Sequence, residues 1–102
     1  MELKAGARLK AAADDTEVIV VRAPKEEAEL GCGGYPMIPL ADERPPGAQL
    51  DPALSGGTQL GKRFADEDKG LEVLCTKAGQ GTLTVDGKPL ALKEAKPLPA
   101  SD

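Results

Sequence analysis

Residues 6–23 (GARLKAAADDTEVIVVRA) lie over residues 61–78 (GKRFADEDKGLEVLCTKA) at a constant offset of 55. Gly6/Gly61, Arg8/Arg63, Glu17/Glu72, Val18/Val73 and Ala23/Ala78 are identical, while Leu9/Phe64, Ile19/Leu74 and Arg22/Lys77 are conservative. After a loop two residues shorter the match resumes at an offset of 53, with Leu30/Leu83, Gly34/Gly87 and Pro36/Pro89 identical and Met37 on Leu90. This correspondence predicts a tandem duplication: a mainly β chain of two similar small units packed with pseudo-twofold symmetry and little helix. The units are expected at residues 1–40 and 61–93, joined by a Pro/Gly-rich linker at 41–60 and followed by an extended tail at 94–102.

Within the repeat, strand signals dominate. Thr16–Arg22 is a β-branched run of strand length with a continuous apolar middle, as a buried strand requires, and Leu71–Thr76 is its counterpart. Gly81–Val85 and Lys88–Leu92 flank Asp86-Gly87. Asp-Gly between strands is a hairpin signal, because a type I′ turn needs positive φ at both central residues. Gly33-Gly34 occupies the equivalent turn in the first half. Alternation puts Leu83 and Val85 on one face and Thr82 and Thr84 on the other. Lys25–Leu30 is too short to persist as a helix and reads as a charged turn. In the linker, Pro45-Pro46 bars a helix, Gly56-Gly57 gives a flexible approach to the second unit, and one helical turn fits at Asp51–Leu54 with Pro52 at its first position.

Composition narrows the function classes. Of 102 residues only Tyr35 and Phe64 are aromatic, so the core must be aliphatic. A buried Leu or Val contributes only about 1.5–3 kcal/mol, and a unit of this size does not stand alone on such a core without a metal, a disulfide or a partner surface. Two fused units can bury a face of each against the other, and dimerisation of the whole chain would add to this. The net charge is −4 and the 13 basic residues are scattered singly or beside acids, which disfavours nucleic acid as a partner. No apolar run reaches the roughly 20 residues that a spanning helix needs, and the N-terminus lacks an apolar signal region, so a cytoplasmic protein is expected. Two cysteines, Cys32 and Cys75, are too few for a secreted disulfide framework.

The segment Leu30-Gly31-Cys32-Gly33-Gly34-Tyr35-Pro36-Met37 resembles the end of the desulforedoxin-type knuckle, found in desulforedoxin and at the N-terminus of desulfoferrodoxin. Leu9-Lys10 matches the knuckle's opening pair, Glu17–Val21 its valine strand, and Gly79-Gln80-Gly81-Thr82-Leu83 its Gly-rich turn. The resemblance implies a rubredoxin-like β hairpin unit and an iron held by four thiolates, since soft sulfur donors suit tetrahedral iron or zinc. Carried over by position, the ligand set is Ala11, Asp14, Cys32 and Gly33 in the first half and Asp66, Lys69, Val85 and Asp86 in the second. One thiol remains, and Lys69 repels a cation. The resemblance therefore implies a metal-free relative with no cofactor, in which the fused pair replaces the homodimer that such domains form.

Five residues stand out as candidate binding groups: Cys32, Tyr35, Met37, Arg8 and Arg63. Cys32 sits in a Gly-rich turn whose amides can lower a thiol pKa, though the chain contains no His to act as its base; the alternative is a partly buried leftover at a ligand position. Tyr35 is either an anchor for a partner or a lid on the small core. Arg8 and Arg63 either form cross-strand ion pairs with Glu17 and Glu72 or build a symmetric anion site. Cys75 reads as a small buried hydrophobe in a strand. Asp14-Asp15 and Asp66-Glu67-Asp68 read as solvated turn carboxylates, since neither matches a spaced calcium loop. With no His, phosphate loop, catalytic triad or complete ligand set, the favoured expectation is a non-catalytic accessory module that docks on a larger protein or on itself. The alternatives are an iron or zinc redox protein using Cys32 in an intermolecular site, and a small enzyme or ligand binder using Cys32 and Tyr35.

Overall fold

The computed structural model describes residues 3–93; the expected tail at 94–102 lies outside the described residues. The described residues are all strand, turn and loop apart from one 3-10 turn. The strands are β1 (Arg8–Lys10), β2 (Glu17–Arg22), β3 (Leu30–Cys32), β4 (Tyr35–Pro36), β5 (Ile38–Pro39), β6 (Arg63–Asp66), β7 (Leu71–Lys77), β8 (Leu83–Val85), β9 (Lys88–Pro89) and β10 (Ala91–Lys93). They form two antiparallel sheets, one of six strands in the order β10-β6-β7-β2-β1-β5 and one of four in the order β4-β3-β8-β9. Among the described residues no helix is long and apolar enough to cross a membrane.

The two longest strands, β2 and β7, carry the most apolar segments of the chain and pair at the centre of the larger sheet. Val18 lies opposite Cys75, Ile19 opposite Leu74 and Val20 opposite Val73. Bulges beyond this stretch bring Glu17 opposite Lys77 and Arg22 opposite Glu72, adding local twist and leaving Val21 unpaired at the surface. In the smaller sheet β3 and β8 make the central pair, with Leu30 opposite Val85 and Cys32 opposite Leu83. Each half of the chain is thus divided between both sheets.

Both two-residue hairpins form as the turn chemistry requires. Asp86 and Gly87 have φ of 50° and 84°, and Gly33 and Gly34 have 65° and 99°. Lys88–Leu92, expected as one strand, breaks in two. Lys88–Pro89 pairs with β8 in the smaller sheet and Ala91–Lys93 with β6 in the larger one. Leu90 between them turns inward, 8% exposed, and its amide donates to the Leu83 carbonyl at 2.9 Å. Met37 does the same between β4 and β5, fully buried, with its amide donating to the Leu30 carbonyl at 2.9 Å. These two inward residues are the corners at which the chain passes from one sheet to the other.

One aliphatic core fills the space between the sheets. Leu9, Val18, Val20, Leu71 and Val73 from the larger sheet meet Leu30, Leu83 and Val85 from the smaller, with Met37 and Leu90 closing the corners. Phe64 packs partly buried against the same cluster. Burial of aliphatic area is the main favourable term, at about 1.5–3 kcal/mol per side chain.

The linker is less free than its composition predicts. Arg44 Nε donates to the Ala11 carbonyl at 3.0 Å, the Asp51 amide to the Gly33 carbonyl at 2.9 Å, and the Thr82 amide to the Leu54 carbonyl at 2.8 Å. The expected helical turn forms as a 3-10 turn at Pro52–Leu54, capped by the Asp51 carboxylate, which accepts from the Ala53 amide at 2.9 Å. Thr58 and Gly79 then form an isolated bridge that ties the linker's end to the second half.

Candidate functional site

Three places could carry function: the corner around Cys32, the surface beside Tyr35, and the outer face of the larger sheet.

Cys32 ends β3 and is fully buried. Its Sγ lies 4.0 Å from both carboxylate oxygens of Asp14, in the loop between β1 and β2. That carboxylate accepts from the Thr16 amide at 2.9 Å and from the Gly81 amide in a short contact. Asp14 therefore ties its own turn to a turn 67 residues away instead of standing free in solvent, which corrects the solvated reading for Asp14, while Asp15 is exposed as expected. Gly79 and Gly81 make the close approach possible. A Cβ on Gly81 would come within 2.7 Å of Cys32 Sγ, and one on Gly79 within 2.5 Å of the Thr16 amide nitrogen.

Burial, with the Asp14 carboxylate adding to it, pushes the Cys32 thiol up to about 12; the nearby Thr16 hydroxyl opposes the rise. At neutral pH the group is a neutral thiol, so the expectation that Gly-rich amides lower its pKa is reversed. Desolvation outweighs the backbone dipoles. Full burial also keeps a thiol of a second chain from reaching Cys32. Cys75 is buried in β7 as expected of a strand cysteine, its thiol also raised by burial. Both thiols are free.

The residues aligned with the knuckle's ligands do not fit a tetrathiolate metal. In the first half Ala11 and Gly33 bring no donor, leaving one thiol and one carboxylate. In the second half Lys69 Nζ pairs with Asp86 Oδ2 at 2.9 Å, so an ammonium already balances the carboxylate. Asp66 Oδ1 accepts from the Asp68 amide at 3.0 Å and the Lys69 amide at 3.3 Å, which makes it a turn-former. No group of three or more potential metal-ligating side chains exists among the described residues.

Tyr35 is half-buried at the start of β4, and its hydroxyl accepts from the Gln49 amide at 3.3 Å. Through this bond it anchors the chain's own linker. Beside it, Glu29, Gly31, Leu54, Thr84 and Asp86 help line a shallow hollow of about 270 Å³. Met37, expected as a contact residue, lies wholly in the core.

Arg8 and Arg63 occupy corresponding places on the outer face of the larger sheet, opposite Ile19 and Leu74 respectively. The row across the sheet reads Arg8, Ile19, Leu74, Arg63. Two strands separate the arginines, a backbone distance of about 14 Å at three strand spacings. Arg63 does pair with Glu72 at 3.4 Å, while Glu17 pairs with Lys77 across β2 and β7 at 3.8 Å. Sequence reading missed Lys10, Arg22 and Lys77, which share this face. Residues placed singly along the chain are gathered by strand pairing, and only the period of two within each strand hinted at a common side.

Comparison with family models, with characterised proteins and with solved structures finds no match.

Proposed function

We propose that the chain is a non-catalytic interaction module: a fused, metal-free pair of desulforedoxin-like units that docks on a larger protein. The observation that carries the non-catalytic part is the enclosure of Cys32. A buried thiol whose pKa is near 12 supplies neither the thiolate that nucleophilic chemistry requires nor a ready ligand for iron or zinc.

The duplication is supported by the pairing registers. The offset of 55 that aligns the two sequences carries Leu9–Val18 onto Phe64–Val73, and the offset of 53 carries Cys32–Tyr35 onto Val85–Lys88. Ile19, which aligns with Leu74, also pairs with it, as residues do where a twofold axis passes between equivalent strands. On this reading, mutual burial of two small units does the work that a metal or a separate dimer partner does in a lone unit. Two free thiols suit a reducing, cytoplasmic setting.

The test is the rate of Cys32 modification by a small thiol reagent as a function of pH, in a Cys75→Ala background, together with elemental analysis of the purified chain. Modification that stays negligible to about pH 10 and then rises is the expected result. Fast modification at pH 7, or one equivalent of iron or zinc, would overturn the proposal.

A further inference from the structure

Strand pairing collects five cations on the outer face of the larger sheet: Arg8, Lys10, Arg22, Arg63 and Lys77. Lys10 lies opposite Glu17 and Glu17 opposite Lys77; Arg22 lies opposite Glu72. Within the paired strands five cations meet two carboxylates, on a chain whose net charge is −4; Asp66 and Glu67 join Glu72 around a hollow at the Arg22 end, so the positive surplus lies toward Arg8, Lys10, Arg63 and Lys77. The heights of the charges differ as well. The Lys77 and Arg63 side chains are each 56% exposed, whereas Glu17 is 24% and Glu72 only 6% exposed. Whatever meets this face meets guanidinium and ammonium tips first, with the carboxylates set beneath them. At its centre the face offers the half-buried pair Ile19 and Leu74 and the exposed Val21.

We infer that this face docks an acidic protein surface that brings apolar side chains of its own. An apolar centre with a charged, solvent-accessible rim is the layout of a protein–protein contact, and the rim's sign selects a partner rich in carboxylates. Nucleic acid fits less well. Its single strands are held by stacking on aromatic rings, and both aromatics lie elsewhere, Tyr35 in the smaller sheet and Phe64 against the core. A second copy presenting the same face would set a surplus of positive charge against its like. The inference rests on the interaction-module reading and adds the chemistry of the partner.

The experiment is calorimetric titration of the full chain with three probes: poly-L-glutamate, a random glutamate–leucine copolymer, and polyuridylate. Since the chain is acidic overall, binding of a polyanion at all requires a local basic face. The copolymer should bind most tightly and poly-L-glutamate more weakly, both losing affinity as salt rises. The double variant Arg8→Glu/Arg63→Glu should weaken both by about tenfold or more. Ile19→Ser should remove the copolymer's advantage and leave poly-L-glutamate binding unchanged. A second reversal, Lys10→Glu/Lys77→Glu, gives the same answer should the first variant fail to fold. Polyuridylate binding as tightly as the copolymer, no binding by either acidic polymer, or indifference to both charge reversals would overturn the inference. None of these results touches the non-catalytic reading, which stands or falls on Cys32.

Discussion

The two hairpin corners of the smaller sheet share a backbone and differ in how they are closed. The Gly33-Gly34 corner is sealed from within: Asp14 reaches across to the Gly81 amide, Cys32 lies beneath it, and the Asp51 amide of the linker bonds to the Gly33 carbonyl. At the Asp86-Gly87 corner charge does this work in the open. Asp86 Oδ1 accepts from the Glu29 amide at 2.9 Å while its Oδ2 holds the Lys69 ammonium. One turn geometry therefore tolerates two chemistries. The buried version depends on exact fit and on a neutral thiol; the exposed version depends on salt-screened attraction. Their sensitivities to mutation, pH and ionic strength should separate accordingly.

Backbone clearance gives the largest expected difference. Gly79→Ala would set a Cβ 2.5 Å from the Thr16 amide nitrogen and 3.0 Å from its Cα. Both are backbone atoms of a turn held by Asp14, so relief requires the whole corner to move. A loss of about 3 kcal/mol is expected, at the upper end of overpacking costs. Gly87→Ala meets nothing within 4 Å and carries only the strain of a φ of +84°, about 1–2 kcal/mol. Urea midpoints of the two variants, at unchanged slope, measure the gap. Equal losses would mean that the first corner is not packed as described.

The second contrast is with pH. Because burial raises the folded-state pKa of Cys32, the unfolded chain gives up this proton first as pH rises. The associated stability is fully present below the unfolded thiol value of 9.0 and is lost between there and about 12. Within that window one proton's difference corresponds to roughly 1.4 kcal/mol per pH unit. The expected result is a steep alkaline fall in denaturation midpoint that is clearly flattened in Cys32→Ala. Cys75, raised in the same direction by burial, leaves a shallower remainder. A Cys32→Ala variant as alkali-sensitive as the parent would show that the thiol is not sealed.

These corners also mark how far the sequence could be read. Turn residues and apolar runs are local signals, so β2, β7 and both hairpins were legible: Asp86-Gly87 needs positive φ, and the Val-rich stretch of β2 needs burial. The Asp14 to Gly81 contact spans most of the chain and left no local trace beyond the two glycines at 79 and 81. Lys88–Leu92 was misread as one strand because nothing in its alternation distinguishes a continuing strand from one that turns a corner at Leu90. The cations of the outer face were invisible for a related reason. Which residues share a side follows from pairing partners and bulges, and the bulges around Val21 and Thr76 shift the charges that flank Ile19 and Leu74.

The smallest effect belongs to the exposed corner, and its character matters more than its size. Lys69 and Asp86 raise and lower each other's pKa in the directions an ion pair requires, with the Glu29 amide the larger influence on Asp86. Asp86 therefore contributes stability that is present above the ordinary carboxylate range and is lost as pH falls through its lowered folded value. Lys69 contributes in the opposite sense, its share being lost as pH rises through its raised value. Replacing Lys69 by Met should remove only a slight, salt-dependent increment, visible at low ionic strength and absent in 1 M salt, where the screening length falls to about 3 Å. Replacing Asp86 by Asn should cost more than Lys69→Met even in high salt, because the Glu29 amide then loses a charged acceptor, and hydrogen bonds to charged groups outlast screening of the pair. Equal salt-sensitive losses from both variants would mean that the ammonium, and not the amide, holds the second corner together.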